Sequence, residues 1–261
     1  LLVDAPAQQV IMAVALSVLT AAATAAAWIQ SRQLHSAAEK AVQAQRVIGA
    51  LDRFADAVDH FKRAHQELPA DDSEITPAIA QAFVNLCEMA CISAASAMKA
   101  LTGQDCRVIL QEIYSVDEPG GPRSAVRTIA TSDRSGPTGQ STVDWVDANT
   151  DFSDLVGGEG IYFCEDLREA IKNGYRNSHW TPIKLTEWGQ SGEYPYLSTV
   201  VTPVRARQKA DDQWGCEGFV SIDSKVPKAF DRATVVPLAA ALASVAYTGL
   251  SRYTAIKTKK T

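Results

Sequence analysis

The sequence predicts an α+β protein: an antiparallel β-sheet flanked by helices, preceded by a transmembrane helix and a long stalk helix. Three observations predict it. Residues 10–29 form an uncharged apolar run. From 31 to 68 there is no proline and a single glycine, Gly49, while apolar residues recur at steps of four and three. After Gly103 the period becomes strand-like, in paired runs separated by polar turns, until a last helical run closes the chain.

The apolar run VIMAVALSVLTAAATAAAWI has Ser17, Thr20 and Thr24 as its polar residues, and Trp28 near its end. A helix of this length spans about 30 Å, the thickness of a bilayer core, and an interfacial tryptophan suits its boundary. Two other readings stay open: a buried helix of a soluble protein, and a cleaved signal peptide with Ala25-Ala26-Ala27 as its processing site. Against the second, no Lys or Arg precedes the run. Asp4 lies before the span, and Arg32, Lys40 and Arg46 follow it. The positive-inside rule then places everything after Ile29 in the cytoplasm, at an inner or plasma membrane. Leu1-Leu2-Val3 reads as the tail of a further membrane helix, with 4–7 as a tight outer turn. The expected organisation is an outer segment 1–9, a span 10–29, a stalk 30–69 and a domain 70–261.

In the stalk, Val47, Leu51, Phe54, Val58, Phe61, His65 and Leu68 form one apolar seam. It pairs with a second copy, making a homodimer, or it packs on its own domain. The next helix follows Thr76-Pro77, an N-cap and a first-turn proline, and stops at Gly103. Cys87 and Cys91 lie four apart on it with no further ligand at finger-like spacing, so they read as small buried residues. CRVILQEIYS (106–115) and AVRTIATS (125–132) read as a hairpin joined by a loose DEPGGP loop. Residues 133–158 read as a polar loop holding Trp145 and Phe152. YFCEDL (162–167) leads into a short helix, Arg168 to about Asn173, followed by the irregular stretch GYRNSHW (174–180). Two strands follow, 196–207 and 214–224, and Pro203 demands an edge or a bulge in the first. The last helix starts near Asp231 or Thr234 and runs to about Ile256.

Composition narrows the function. At 46% hydrophobic and 21% charged, the 261 residues belong to a folded protein. A net charge of −5 argues against nucleic-acid binding. Five cysteines match no disulfide framework and suit a reducing compartment. VGGEG (156–160) lacks the Lys-Ser/Thr of a phosphate loop, no Gly-x-Ser-x-Gly elbow occurs, and no histidine pair suits a metal. No catalytic motif is present, so no enzymatic activity is expected.

YFCEDL, GYRNS (174–178), TPVR (202–205), GFVSIDS (218–224) and AFD (229–231), in that order, resemble a GAF domain, the regulatory module of sensor kinases, cyclases and phosphodiesterases. The resemblance runs from about Ile79 to Leu250. It implies that Phe219 and Val220 sit in a central strand, with the even positions core-facing. Asp223 and Ser224 then turn the chain by bonding loop amides, Phe230 packs the last helix on the sheet, and Asp231 caps it. It also implies a small-molecule pocket between the sheet and the middle segment 133–193, for which Phe163, Asp166, Tyr175, Asn177 and Arg205 are the expected lining residues. The aromatics of that segment suit a pocket or, equally, anchors for a long loop. Cys164 is followed by Glu165 rather than the His common in bilin-binding relatives, and the Asn-Lys-Phe-Asp-Glu run of cyclic-nucleotide-binding relatives is missing. The cysteines do not match the sulfoxide-reducing relatives. No metal, bilin or nucleotide motif is therefore present, and the cofactor stays unknown. The resulting expectation is a membrane-anchored cytoplasmic sensory module that binds a small molecule or protein partner and signals through paired helices. The alternatives are a ligand-free dimerisation module, or a membrane effector whose span acts when the soluble domain is triggered.

Overall fold

The computed structural model describes residues 37–70, 74–133, 143–158, 160–178, 180–205 and 215–258. The expected outer segment and span (1–29), His35, His179 and the strand ends at 206–207 and Trp214 lie outside the described residues. The chain divides into two compact units, Leu1–Ile48 and Gly49–Thr261. Of the first, residues 37–48 are helical, part of helix α1 (37–67).

The second unit is α+β. Its six-stranded sheet has the order β3-β2-β1-β6-β5-β4, and every neighbouring pair is antiparallel. The strands are β1 (Cys106–Glu118), β2 (Gly121–Thr131), β3 (Asp144–Trp145), β4 (Tyr162–Cys164), β5 (Ser198–Arg205) and β6 (Cys216–Ser224). Helices α2 (Pro77–Thr102) and α6 (Arg232–Thr258) cover one face, and α3 (Thr150–Val156) packs on the other. Two further helices, α4 (Leu167–Lys172) and α5 (Pro182–Ser191), lie in the middle segment.

Local signals account for most helix ends. The Thr76 hydroxyl accepts from the Ile79 amide, and Gly103 closes α2 at φ 73°, a left-handed conformation that costs glycine nothing. Helix α5 uses the same pattern: Thr181 caps it, Pro182 opens it and Gly192 ends it. Helix α5 lies where the sequence suggests no element, and the described residues of 174–180 before it are irregular as expected. The helix escaped the periodicity because none of its residues is buried. The expected polar loop at 133–158 likewise contains β3, a short 3₁₀ turn and α3. The β1–β2 loop is tight rather than loose, since Glu118 pairs with Gly121 across Pro119-Gly120.

Helix α6 is capped by Asp231, whose carboxylate accepts from the Thr234 amide at 3.0 Å and the Thr234 hydroxyl at 2.6 Å. Pro237 therefore falls beyond the first turn and cannot donate to the carbonyl of Ala233. Both residues are exposed, so the Ala233 carbonyl is open to solvent rather than buried without a partner. The requirement for an edge or bulge at Pro203 is met twice. Strand β4 pairs with β5 only as far as Val201, and a bulge follows at Val204/Arg205.

The main core lies between the sheet and the helices. Val108, Leu110, Val200, Val220 and Ile222 face Phe83, Cys87 and Cys91 of α2 and Val235, Leu242 and Leu250 of α6. Phe83 stacks on Tyr253 at 4.5 Å. Phe61 of α1 and Leu68 just after it are buried in this core beside Ala57 and Ala64, whereas Leu51 is 56% exposed. The second half of the predicted seam thus packs on its own domain. Helices α2 and α6 are long and apolar enough to cross a membrane, yet each buries an alanine-rich face in the core. At the far end of α6, the fully buried Glu112 accepts from Arg127, and from Thr254 at 3.4 Å, with Lys257 at 3.8 Å.

Two substitutions check this packing. Gly218 pairs with Glu112 where β6, β1 and α6 converge, and a methyl there would meet the Gln111 carbonyl and stand 2.8 Å from Leu250 Cδ2. Gly218→Ala should cost at least about 2 kcal/mol by chemical denaturation. Phe230 is 5% exposed under the start of α6, and Phe230→Ala should cost about 3–5 kcal/mol.

Candidate functional site

Strand β6 exposes its two faces to different surroundings. Val220 and Ile222 enter the helix core, while Phe219, Ser221 and Asp223 face the middle segment. The even positions face the helices as expected, but Phe219 is just as buried on the other side. There it stacks on Phe152 of α3 at 4.5 Å, within a cluster completed by Val126, Val146, Leu155 and Val201. Side chains thus fill the centre of the face where the resemblance implied a pocket.

Polar groups take over toward the end of the sheet. Asp223, 5% exposed, accepts from Arg107 at 2.7 Å and from the Thr199 hydroxyl at 2.7 Å. This corrects the expectation that Asp223 bonds loop amides: it ties β6 to β1 and β5. Burial pulls the Arg107 guanidinium down, but its partner Asp223 outweighs this and leaves it above the usual range. Above the pair, the buried Asp151 of α3 accepts from its neighbour amide Phe152 at 3.0 Å and from the Tyr175 hydroxyl at 3.1 Å. Tyr175 and Tyr196 hydroxyls meet at 3.2 Å. Burial pushes both phenols up, and it pushes the Asp151 carboxyl up to about 7, against the hydrogen bonds from Phe152 and Tyr175. The nearby Asp223 and Asp144 raise it further.

The same segment is pinned from below. The fully buried Asn149 donates to Asp144 at 2.7 Å and to the Trp145 carbonyl at 2.6 Å, and it accepts from the Ser178 amide at 3.1 Å. Tyr162, Tyr175, Trp180, Trp188, Tyr194 and Tyr196 touch in series, ring centroids 5.4–6.1 Å apart. These rings anchor the middle segment.

A cleft of about 500 Å³ opens at the sheet end, where β1 begins and β6 finishes. Arg107 and Asp223 form its floor, Tyr196 one wall, and Lys99, Asp133 and Lys225 stand at its rim. A second hollow of about 510 Å³ adjoins it, sharing Pro195 and Lys225 and walled by Trp188 and Tyr194.

Of the five expected lining residues, Tyr175 belongs to this polar cluster. Phe163 points the other way, against the helix core, with the Arg232 guanidinium 5.3 Å over its ring. Asp166 caps α4 through the Arg168 amide at 3.0 Å and pairs with the Arg168 guanidinium. The Asn177 carbonyl accepts from the Trp180 amide at 3.0 Å. Arg205 donates to the Leu155 carbonyl at 2.7 Å, holding α3 to β5. None of the five, Tyr175 included, lines the cleft described above. Sequence reasoning missed Arg107, Asp144, Asn149, Asp151 and Tyr196. Their partners lie 21 to 116 residues away, or depend on a fold of 144–156 that no periodicity announces. Among the described residues, no group of three or more His, Cys, Asp or Glu side chains could hold a metal ion.

No family model and no curated protein matches this sequence. Among solved structures, the chain is similar to the GAF domain of an Acinetobacter phosphoenolpyruvate-protein phosphotransferase, at 14% identity over 76% of this chain and 93% of that one, with TM-score 0.42. It is also similar to another GAF domain, at 11% identity over 79% and 95%, TM-score 0.46. A third similar structure is the free methionine-R-sulfoxide reductase of Neisseria meningitidis in complex with its substrate, at 15% identity over 72% and 95%, TM-score 0.36.

The raised Asp151 carboxyl has a pH signature. Its ordinary value is 3.8 and its folded value about 7, so between these the folded state holds the extra proton. Its contribution to stability is therefore present below about pH 4 and lost as pH rises through about 7. In Asp151→Asn that loss should vanish, so the variant's stability relative to the parent rises between pH 5 and pH 8, as roughly read from those limits. Urea denaturation at several pH values measures it, and parallel curves would refute the assignment.

Proposed function

We propose that this chain is a GAF-like sensory or regulatory module, without catalysis of its own, that binds a small molecule in the cleft at the end of its sheet. The observation that carries the reading is that cleft: an open space floored by a partly buried Arg107–Asp223 pair. Buried charge at the base of an opening suits recognition of a polar ligand. The motifs GYRNS, TPVR and GFVSIDS support the GAF-like part, because they fall in the segment under the sheet and in strands β5 and β6.

The span at 10–29 would hold the module at a membrane, with its domain in the cytoplasm. Signalling would pass through α1 and α6. These helices come close at Gly249, where an added methyl would stand 3.8 Å from His65 Cβ. Ligand-dependent repacking there would alter α1, and through it a paired copy.

A second reading, a ligand-free dimerisation module, draws on the Phe152–Phe219 stack that fills the middle-segment face. A thermal-shift screen of metabolites, with mass spectrometry of whatever co-purifies with the chain, separates the two. A ligand at a hundred times its Kd should stabilise the protein by about 2.7 kcal/mol, a shift of several degrees. No shift with any compound, and no retained small molecule, would favour the second reading.

A further inference from the structure

The cleft carries both signs of charge in ordered positions. Across the strand ends the order runs β2, β1, β6, β5. Asp133 follows β2 at one flank, Lys225 follows β6 toward the other, and the Arg107–Asp223 pair lies between them. The Arg107 side chain is 33% exposed, and only its Nη2 is engaged by Asp223, so further guanidinium donors remain for a ligand. Lys225 is exposed and paired with no carboxylate among the described residues. Lys99 and Asp105, at 2.6 Å on the rim, form a surface pair that water readily competes for.

This pattern disfavours singly charged ligands. A plain anion would approach Asp105, Asp133 and Asp223, and a plain cation would approach Lys99, Arg107 and Lys225. A molecule with both charges a few bonds apart meets an opposite charge at each end. The adjoining hollow adds an aromatic wall, with Glu193 on the same lining. It begins at Pro195 and Lys225, which also line the cleft, and continues past Trp188 and Tyr194, whose rings are 6.1 Å apart.

We infer that the cleft binds an α-amino acid with a large apolar side chain. Its carboxylate lies against Arg107 and Lys225, its ammonium faces Asp223 and Asp133, and its side chain runs along Pro195 to Trp188 and Tyr194. This rests on the small-molecule reading above and adds the ligand's class.

The test uses the full 261-residue chain in detergent, with leucine, phenylalanine and tryptophan as probes. Melting temperature and ligand-observed NMR are the readouts. 3-Phenylpropionate, which lacks the ammonium, and phenethylamine, which lacks the carboxylate, are the controls. Amino acids should raise the melting temperature and show saturation transfer, and the two controls should do neither. Lys225→Glu, at an exposed position, should weaken binding by about tenfold or more while leaving the apo melting temperature unchanged. Trp188→Ala should weaken tryptophan and phenylalanine more than leucine. Equal binding of either control would overturn the zwitterion assignment and leave the small-molecule reading standing. So would silence from every amino acid alongside a shift with some other metabolite. Silence from all compounds would overturn both.

Discussion

Strand β6 is buried on both faces, and the rest of the domain follows from covering it. A strand in that position needs an apolar layer on each side and a paired neighbour on each edge. Val220 and Ile222 receive α2 and α6, Phe219 receives α3, and β1 and β5 satisfy the backbone. Gly218 marks how closely the layers approach, since a single methyl there would meet both a strand carbonyl and a helix side chain. The two clusters differ in character. The helix side is broad and aliphatic, with many alanines that let long helices lie close. The other side is small, and it gives way to polar groups within a few residues of Phe219.

That change of character places the candidate site. Dry packing of Phe152 on Phe219 occupies the middle of the face, so polar residues gather at its margin, where the segment from Tyr175 to Tyr196 crosses the strand ends. Buried polar groups must be paired, and here they pair with one another: Asp223 with Arg107 and Thr199, Asp151 with Tyr175, Asn149 with Asp144. The network has two effects. It fixes the register of a segment with little regular structure, and it leaves a charged floor beneath an opening. A domain that covered this face with apolar residues to its edge would have neither.

How much of this was legible depends on the reach of each signal. Thr76-Pro77 and Gly103 announced α2 because capping is decided within four residues. Thr181-Pro182 and Gly192 announce α5 in the same way, but with no buried face the helix was invisible to periodicity. In the three-residue β4, alternation cannot say which face is which. Phe163 therefore read as a pocket residue, although it is Tyr162 that faces the middle segment. Asp166 and Arg205 were expected to line a pocket, and each instead makes a structural bond, Asp166 capping α4 and Arg205 holding α3 to β5.

The sequence by itself determined the α+β class of the domain, the β1–β2 hairpin, the two late strands β5 and β6 and the alanine-rich helices. Each of these depends on apolar spacing or on caps, which act over one or two turns. Only the tertiary structure decided that the stalk seam buries Phe61 and Leu68 in its own domain, that Phe152 fills the middle-segment face, and that Arg107 meets Asp223. Contacts between residues far apart in sequence depend on how whole layers are placed. No local pattern encodes that placement.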